Sequence, residues 1–126
     1  MNIPANLLYT KDHEWIKIEG TTGTIGITDF AQGELGDIVY IDINPDLSEI
    51  TEGQSFGTIE AVKTVSDLYA PVDGKVIELN KNLNDNPQLV NSDPYGDGWI
   101  IKIEVLNSAQ LNDLLSPEAY QTQLGQ

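Results

Sequence analysis

The sequence predicts a mostly β fold, a small β-sandwich or half-open barrel with peripheral helices. Three observations lead there. Short runs alternate apolar and polar residues, glycine, proline, asparagine and aspartate cluster between those runs, and a helical pattern takes over only from Ser108. The 126 residues suit one hydrophobic core, and no low-complexity segment or linker divides them, so residues 1–126 are read as one domain with a C-terminal helical segment at about 108–124.

The elements follow in chain order. H-E-W-I-K-I-E (13–19) alternates, G-T-T-G (20–23) turns the chain, and T-I-G-I-T (24–28) returns it as a hairpin. Thr28 or Asp29 caps a brief helix over 29–35, which Gly36 ends. D-I-V-Y-I-D-I-N (37–44) reads as a strand, with Ile38, Tyr40 and Asp42 on one face and Val39, Ile41 and Ile43 on the other. Pro45, which has no amide proton for a ladder, stops it. After the polar loop 46–53, strands are expected at 56–62 and 65–70, then a P-V-D-G turn (71–74) and a strand at 75–80. Residues 80–87 form a polar loop with room for one helical turn, 92–98 are rich in turn residues, and W-I-I-K-I-E-V (99–105) is the last strand. Two short helices close the chain, the second opened by Ser116 with Pro117 at its first position and Glu118 in its first turn. Trp15, Tyr40 and Trp99 are assigned to core and edge packing, and Gly36, Gly74 and Gly98 to helix-stop and turn positions.

Composition closes off much chemistry. Forty per cent hydrophobic and 21% charged residues describe a globular chain, and no apolar run approaches the ~20 residues of a membrane helix. Six lysines, no arginine and twenty acidic residues give a formal charge of −14, which repels nucleic-acid phosphates and anionic lipids; no nucleic acid and no membrane are expected as partners. The same field keeps the chain soluble and steers it towards basic surfaces. With no cysteine there is no disulfide, thiol nucleophile or thiolate metal site, and a single histidine, His13, excludes most triads and multi-histidine metal sites. The first residues have neither a basic start nor an apolar signal core, so the chain is read as cytoplasmic, or as a mature form without its targeting segment.

Several motif-like stretches fail on spacing. The position four after His13 is Lys17, so H-E-W is no zinc-protease start. G-T-T-G-T-I-G (20–26) lacks the dinucleotide spacing and joins two strands. The run from Asn80 has neither the glycine nor the glutamate of a calcium loop.

The informative stretch is I-E-A-V-K-T-V-S-D (59–67). Alternation on both sides predicts a chain reversal at Lys63, yet Val62, Lys63 and Thr64 include none of the usual turn residues. β-Branched Val62 and Thr64 resist positive φ, so a type I-like turn is expected rather than type I′. Stiff neighbours hold the lysine in a defined place, as a site of enzymatic modification requires. An ordinary solvated surface lysine is the bland reading.

With Y-A-P-V-D-G-K-V after it, this stretch resembles the lipoyl-attachment motif of the glycine cleavage system H-protein family. Y-T-K-D-H-E-W (9–15), G-I-T-D-F-A (26–31), L-G-D-I-V-Y (35–40), N-P-Q-L-V-N (86–91) and P-Y-G-D-G-W (94–99) extend the likeness, in order, along most of the chain. Ala61 stands where the family commonly has serine. Biotin carriers have Met on both sides of the lysine and 2-oxoacid dehydrogenase lipoyl domains have D-K-A; Val62 and Thr64 match neither.

The resemblance implies a barrel-sandwich hybrid of the lipoyl/biotinyl-carrier type: two small antiparallel sheets with short peripheral and C-terminal helices. It implies a non-catalytic, monomeric carrier with lipoate attached to Lys63 as N6-lipoyllysine, one unit more negative once acylated. Its implied partners are the glycine decarboxylase (P protein), the aminomethyltransferase (T protein), dihydrolipoamide dehydrogenase (L protein) and a lipoate ligase or lipoyl transferase. The aminomethyl group of glycine would travel on the arm from P to T protein, and L protein would reoxidise the dithiol. A cationic amine exposed to water would lose its methylene as formaldehyde, so a shielding cleft with a carboxylate is expected; Glu14 is one candidate and Asp67 the other. Two alternatives stand beside this: a lipoyl-relay protein donating lipoyl groups to other enzymes, and an unmodified acidic β-domain binding a basic partner.

Overall fold

The computed structural model describes residues 2–125. Among the described residues nine strands form two antiparallel sheets. The strands are β1 (Leu8–Tyr9), β2 (Glu14–Glu19), β3 (Thr22–Ile27), β4 (Ile38–Asp42), β5 (Glu49–Ile50), β6 (Ser55–Ala61), β7 (Val65–Tyr69), β8 (Gly74–Leu79) and β9 (Ile101–Val105). The larger sheet runs β1-β2-β3-β9-β8-β5 and the smaller β4-β6-β7. Helix α1 (Asp29–Leu35) follows β3, α2 (Asn82–Asp85) and α3 (Leu89–Ser92) follow β8, and a 3-10 helix (Ser108–Asp113) and α4 (Pro117–Gln123) end the chain. Among the described residues no helix is long and apolar enough to cross a membrane.

The sheets face each other across one core. Ile16 and Ile25 from the larger sheet, Ile59 and Leu68 from the smaller, and Ile101 and Ile103 from β9 are all but fully buried there. Each such burial contributes roughly 1.5–3 kcal/mol, which makes this layer the main stabilising term. A second cluster of Leu7, Tyr9, Trp15 and Tyr120 lies under the C-terminal segment. There Tyr9 and Tyr120 stack at 4.7 Å, and the indole of Trp15 donates to the Pro94 carbonyl at 3.0 Å.

Helix starts and stops match the sequence signals. Thr28 caps α1 by accepting from Ala31 N–H, and Gly36 ends it with φ of 79°. Ser116 caps α4 through Ala119 N–H, with Pro117 at the first position.

Three expectations need correction. The face assignment of 37–44 breaks at a bulge between Ile38 and Tyr40. The extra residue re-phases the alternation, so Ile38 and Ile41 face inward against Ala61 and Ile59, while Val39 and Tyr40 are about half exposed. The first of the two expected C-terminal helices is present as a 3-10 helix, over a segment where the Asn107 side chain accepts from Ala109 N–H. Gly74 is the first residue of β8 rather than a turn residue, whereas Gly98 does lie in a turn, and neither has a positive φ. A Cβ at Gly74 would run into the Ile103 side chain, and one at Gly98 would sit 2.5 Å from the Leu89 carbonyl oxygen. Finally, β1, β5 and α3 were not anticipated: the first two have only two residues each, and α3 has four, too few for a periodic signal.

One glycine shows how tightly neighbouring strands pack. Gly26 lies opposite Trp15 in the β2–β3 ladder, and a Cβ there would stand 2.7 Å from the indole ring. Gly26→Ala is therefore expected to destabilise the fold by about 1–3 kcal/mol. A thermal or urea melt matching the wild type would show that the indole can move aside.

Candidate functional site

Two places stand out, joined by the β6–β7 hairpin. The first is the hairpin apex. Strand β6 is central in its sheet, paired with β4 on one side and β7 on the other, and the last register pair before the reversal is Glu60↔Val65. Ala61 N–H donates to the Thr64 carbonyl at 2.8 Å across the tip. Val62 and Lys63 form the bend and, with Thr64, are exposed. His13 is the one non-glycine of positive φ among the described residues, so the tip does not have the positive φ values of a type I′ turn.

The apex is also braced from the side. Val62 N–H donates to the Asp37 carbonyl at 3.1 Å. Asp37 is itself bracketed by Asn91, whose Nδ2 donates to the Gly36 carbonyl at 2.8 Å and whose Oδ1 accepts from Ile38 N–H at 2.9 Å. That Asn ends the N-P-Q-L-V-N run, so α3 ties the helix-stop region to the tip. Lys63 makes no ion pair or hydrogen bond among the described residues. A side chain so placed is accessible to a large partner and is committed to nothing among the described residues.

The second place is an acidic cleft of about 640 Å³ flanking β7, walled in part by Thr10, Glu14, Glu52, Tyr69 and Asp113. Glu14, the first residue of β2, is 2% exposed. Its Oε1 accepts from the Thr10 hydroxyl at 2.6 Å and its Oε2 from Tyr69 N–H at 3.2 Å, on the outer edge of β7. A tight turn delivers it. Thr10 Oγ1 accepts from both Asp12 N–H and Glu14 N–H, and His13 adopts φ of 69° to close the turn. His13 is then held elsewhere: Nδ1 lies 2.8 Å from the Tyr120 hydroxyl, and burial lowers its pKa.

Burial raises the Glu14 pKa from its ordinary 4.5 to about 7, against the lowering effect of its two hydrogen bonds. No lysine or histidine pairs with it among the described residues. Asp12, Glu52 and Asp113 add negative charge around the cleft, opposed by Lys11 alone. A cationic guest would be attracted there and would pair a carboxylate that is costly to ionise alone. The groove of about 480 Å³ on the opposite flank, between β4 and β8, has largely aliphatic walls and balances Glu78 with Lys81, so it offers no such pull.

Of the residues singled out from sequence, the structure brings Glu14 into the cleft. Lys63 lies at the apex, six residues from Tyr69, about 20 Å along a strand. Asp67 lies between them on the exposed face of β7, outside the cleft lining, where it accepts from Ser55 Oγ at 3.1 Å. Sequence reasoning missed Thr10, although it belongs to the same Y-T-K-D-H-E-W run. It also missed the Tyr69 amide, because a backbone donor on a strand edge carries no residue signature.

Comparison with known proteins adds the following. The sequence model described as glycine cleavage H-protein matches residues 7–126. A glycine cleavage system H protein of Carboxydothermus hydrogenoformans is 57% identical over 119 residues, covering 94% of this chain and 92% of that one. Its counterpart in Staphylococcus haemolyticus is 52% identical over the full length of both. A crystal structure of a glycine cleavage system H protein from Mycobacterium marinum superposes with a TM-score of 0.90 at 36% identity, covering 98% of this chain and all of that one.

Because the folded protein favours protonated Glu14, this group's contribution to stability is complete below about pH 4.5 and is lost as the pH rises through about 7. The loss amounts to about 3 kcal/mol at most. Glu14→Gln should therefore lose less stability than the wild type between pH 5 and pH 8 in parallel melts. Equal losses in the two proteins would mean that Glu14 titrates as an ordinary exposed carboxylate.

Proposed function

The chain belongs to the glycine cleavage H-protein family and is a non-catalytic carrier component of the glycine cleavage system, and on that premise we propose that Lys63 is the residue that carries its lipoate. The observation that supports this reading most is the exposed, unpaired Lys63 at the apex of a braced hairpin. In attachment, neutral Nζ attacks the carbonyl of an activated lipoyl group. A C–N bond forms, the bond to the activating group breaks, and the amine's proton is lost with the leaving group or to water. The lipoate ligase or lipoyl transferase that supplies the activated acyl group is a partner of this step.

Bound at Lys63, the lipoyl group would supply the sulfur redox and aminomethyl-carrying chemistry that a cysteine-free chain lacks, for use with the P, T and L proteins. The chain's own work is to hold, present and shield. The rigid tip keeps the attachment point at a fixed place, and a tether raises the effective concentration of its cargo at each partner site. Glu14 provides a carboxylate for the cationic amine in a cleft that limits water, and Thr10 and Tyr69 N–H orient that carboxylate. Asp67, lying between apex and cleft, adds negative charge along the way.

Intact-mass analysis of protein from a lipoate-replete host should give a lipoyl-sized increment that Lys63→Arg abolishes. An unmodified wild type under those conditions, or an increment that survives the substitution, removes Lys63 from the role. Glu14→Ala should shorten the lifetime of the aminomethyl-loaded carrier, followed as formaldehyde release, by about tenfold or more, in line with the loss of one buried charge-assisted contact. A decay rate equal to the wild type would assign Glu14 to the fold alone.

A further inference from the structure

Large apolar side chains are unevenly distributed over the surface. Among the described residues six are prominently exposed, and four of them, Val39, Tyr40, Val62 and Val65, surround Lys63. Their positions follow from the register. Tyr40 lies opposite Glu60 and Glu60 opposite Val65, so these three form a row across the outer face of β4-β6-β7, one step below the apex. Val62, 71% exposed, adjoins the lysine itself, and the β4 bulge turns Val39 outward beside Tyr40. Asp37 and Glu60 are exposed beside them. The other face of this sheet is core, so the collar has no packing task within the chain. Solvent-exposed apolar groups gathered at one spot mark a surface that another molecule covers.

We propose that this collar is the docking surface for the enzyme that acylates Lys63, an apolar patch on that enzyme ringed by basic groups. The inference rests on the assignment of Lys63 as the attachment point, and reach selects the occupant. An enzyme forming the amide must bring its activated acyl carbon to Nζ, and therefore its own surface to within a lysine side chain of the tip backbone. It cannot avoid Val62, Tyr40 and Val65. Enzymes that act on the sulfur end work a whole arm's length away and need not touch them. The acidic residues beside the collar, in a chain of formal charge −14, favour basic groups on the partner.

The experiment uses the full unmodified chain with a lipoate ligase, lipoate and ATP, and reads acylation by intact mass. The variant Tyr40→Thr/Val62→Thr/Val65→Thr places residues of good strand propensity at these exposed strand and tip positions while removing apolar area. Its kcat/KM for acylation should fall about tenfold, mostly through KM, as truncation of a small interface centre does. The single Val65→Thr variant should fall in the same direction, and covers the case in which the triple variant melts early. Ile77→Thr/Leu106→Thr, which removes two equally exposed apolar residues away from the tip, should be acylated like the wild type. Acylated to completion with excess ligase, the collar variant should turn over with dihydrolipoamide dehydrogenase at the wild-type rate. Unchanged kcat/KM in both collar variants overturns the docking proposal while leaving Lys63 in place. Equal losses towards the ligase and the dehydrogenase overturn it in favour of a surface shared by the arm's users. A wild-type chain that is not acylated at Lys63 overturns the attachment assignment, and the collar with it.

Discussion

The hydrogen bond from Val62 N–H to the Asp37 carbonyl is the contact on which the presentation of Lys63 depends. A two-stranded hairpin end is a soft object in water, since few bonds hold it and both faces are wet. Here the third strand and the segment before it add a lateral tie, and Asn91 fixes that segment by bracketing Gly36 and Ile38. The apex is therefore continuous with the core through one backbone amide, one side-chain amide and the buried pair Ile38↔Ala61. Its stiffness comes from neighbours distant in sequence, and the β-branched residues of the tip supply only the local part.

The cleft shows the opposite use of the same sandwich. A strand edge normally leaves amides bare, and a protein must cover them or charge them. Glu14 covers the Tyr69 amide with a carboxylate, and the sheet thereby gains a buried acid that forms no ion pair among the described residues. Desolvation outweighs the two hydrogen bonds and moves that acid into the physiological range. Such a group is poised to respond to an incoming positive charge, which a fully solvated carboxylate would screen away. A carboxylate held in this way is also a destabilising element of the fold above neutral pH.

Charge and apolarity divide the remaining surface. The overall field of −14 holds the chain in solution and repels anionic surfaces, while exposed hydrophobic area is concentrated where Lys63 stands. Long-range charge suits the steering of an encounter, and local apolar area suits close contact.

Much of this was legible in the residues alone. Alternation in I-E-A-V-K-T-V-S-D placed a reversal at Lys63, the caps Thr28 and Ser116 opened their helices, and Gly36 closed the first. These signals are local, because hydrogen bonds within a turn or between adjacent strands involve neighbouring residues. The inner face of β4 was misread, since one extra residue at Val39 shifts every later side chain and leaves no mark in composition. Glu14 was recognisable as an acid in a motif. Its burial, its two donors and its shifted titration required Thr10 and Tyr69 to converge on it from segments four and fifty-five residues away. Periodicity and family likeness singled out the candidate residues; the packing of two sheets decided which of them would be dry, paired or free, because desolvation and close contact exist only once the chain has closed on itself.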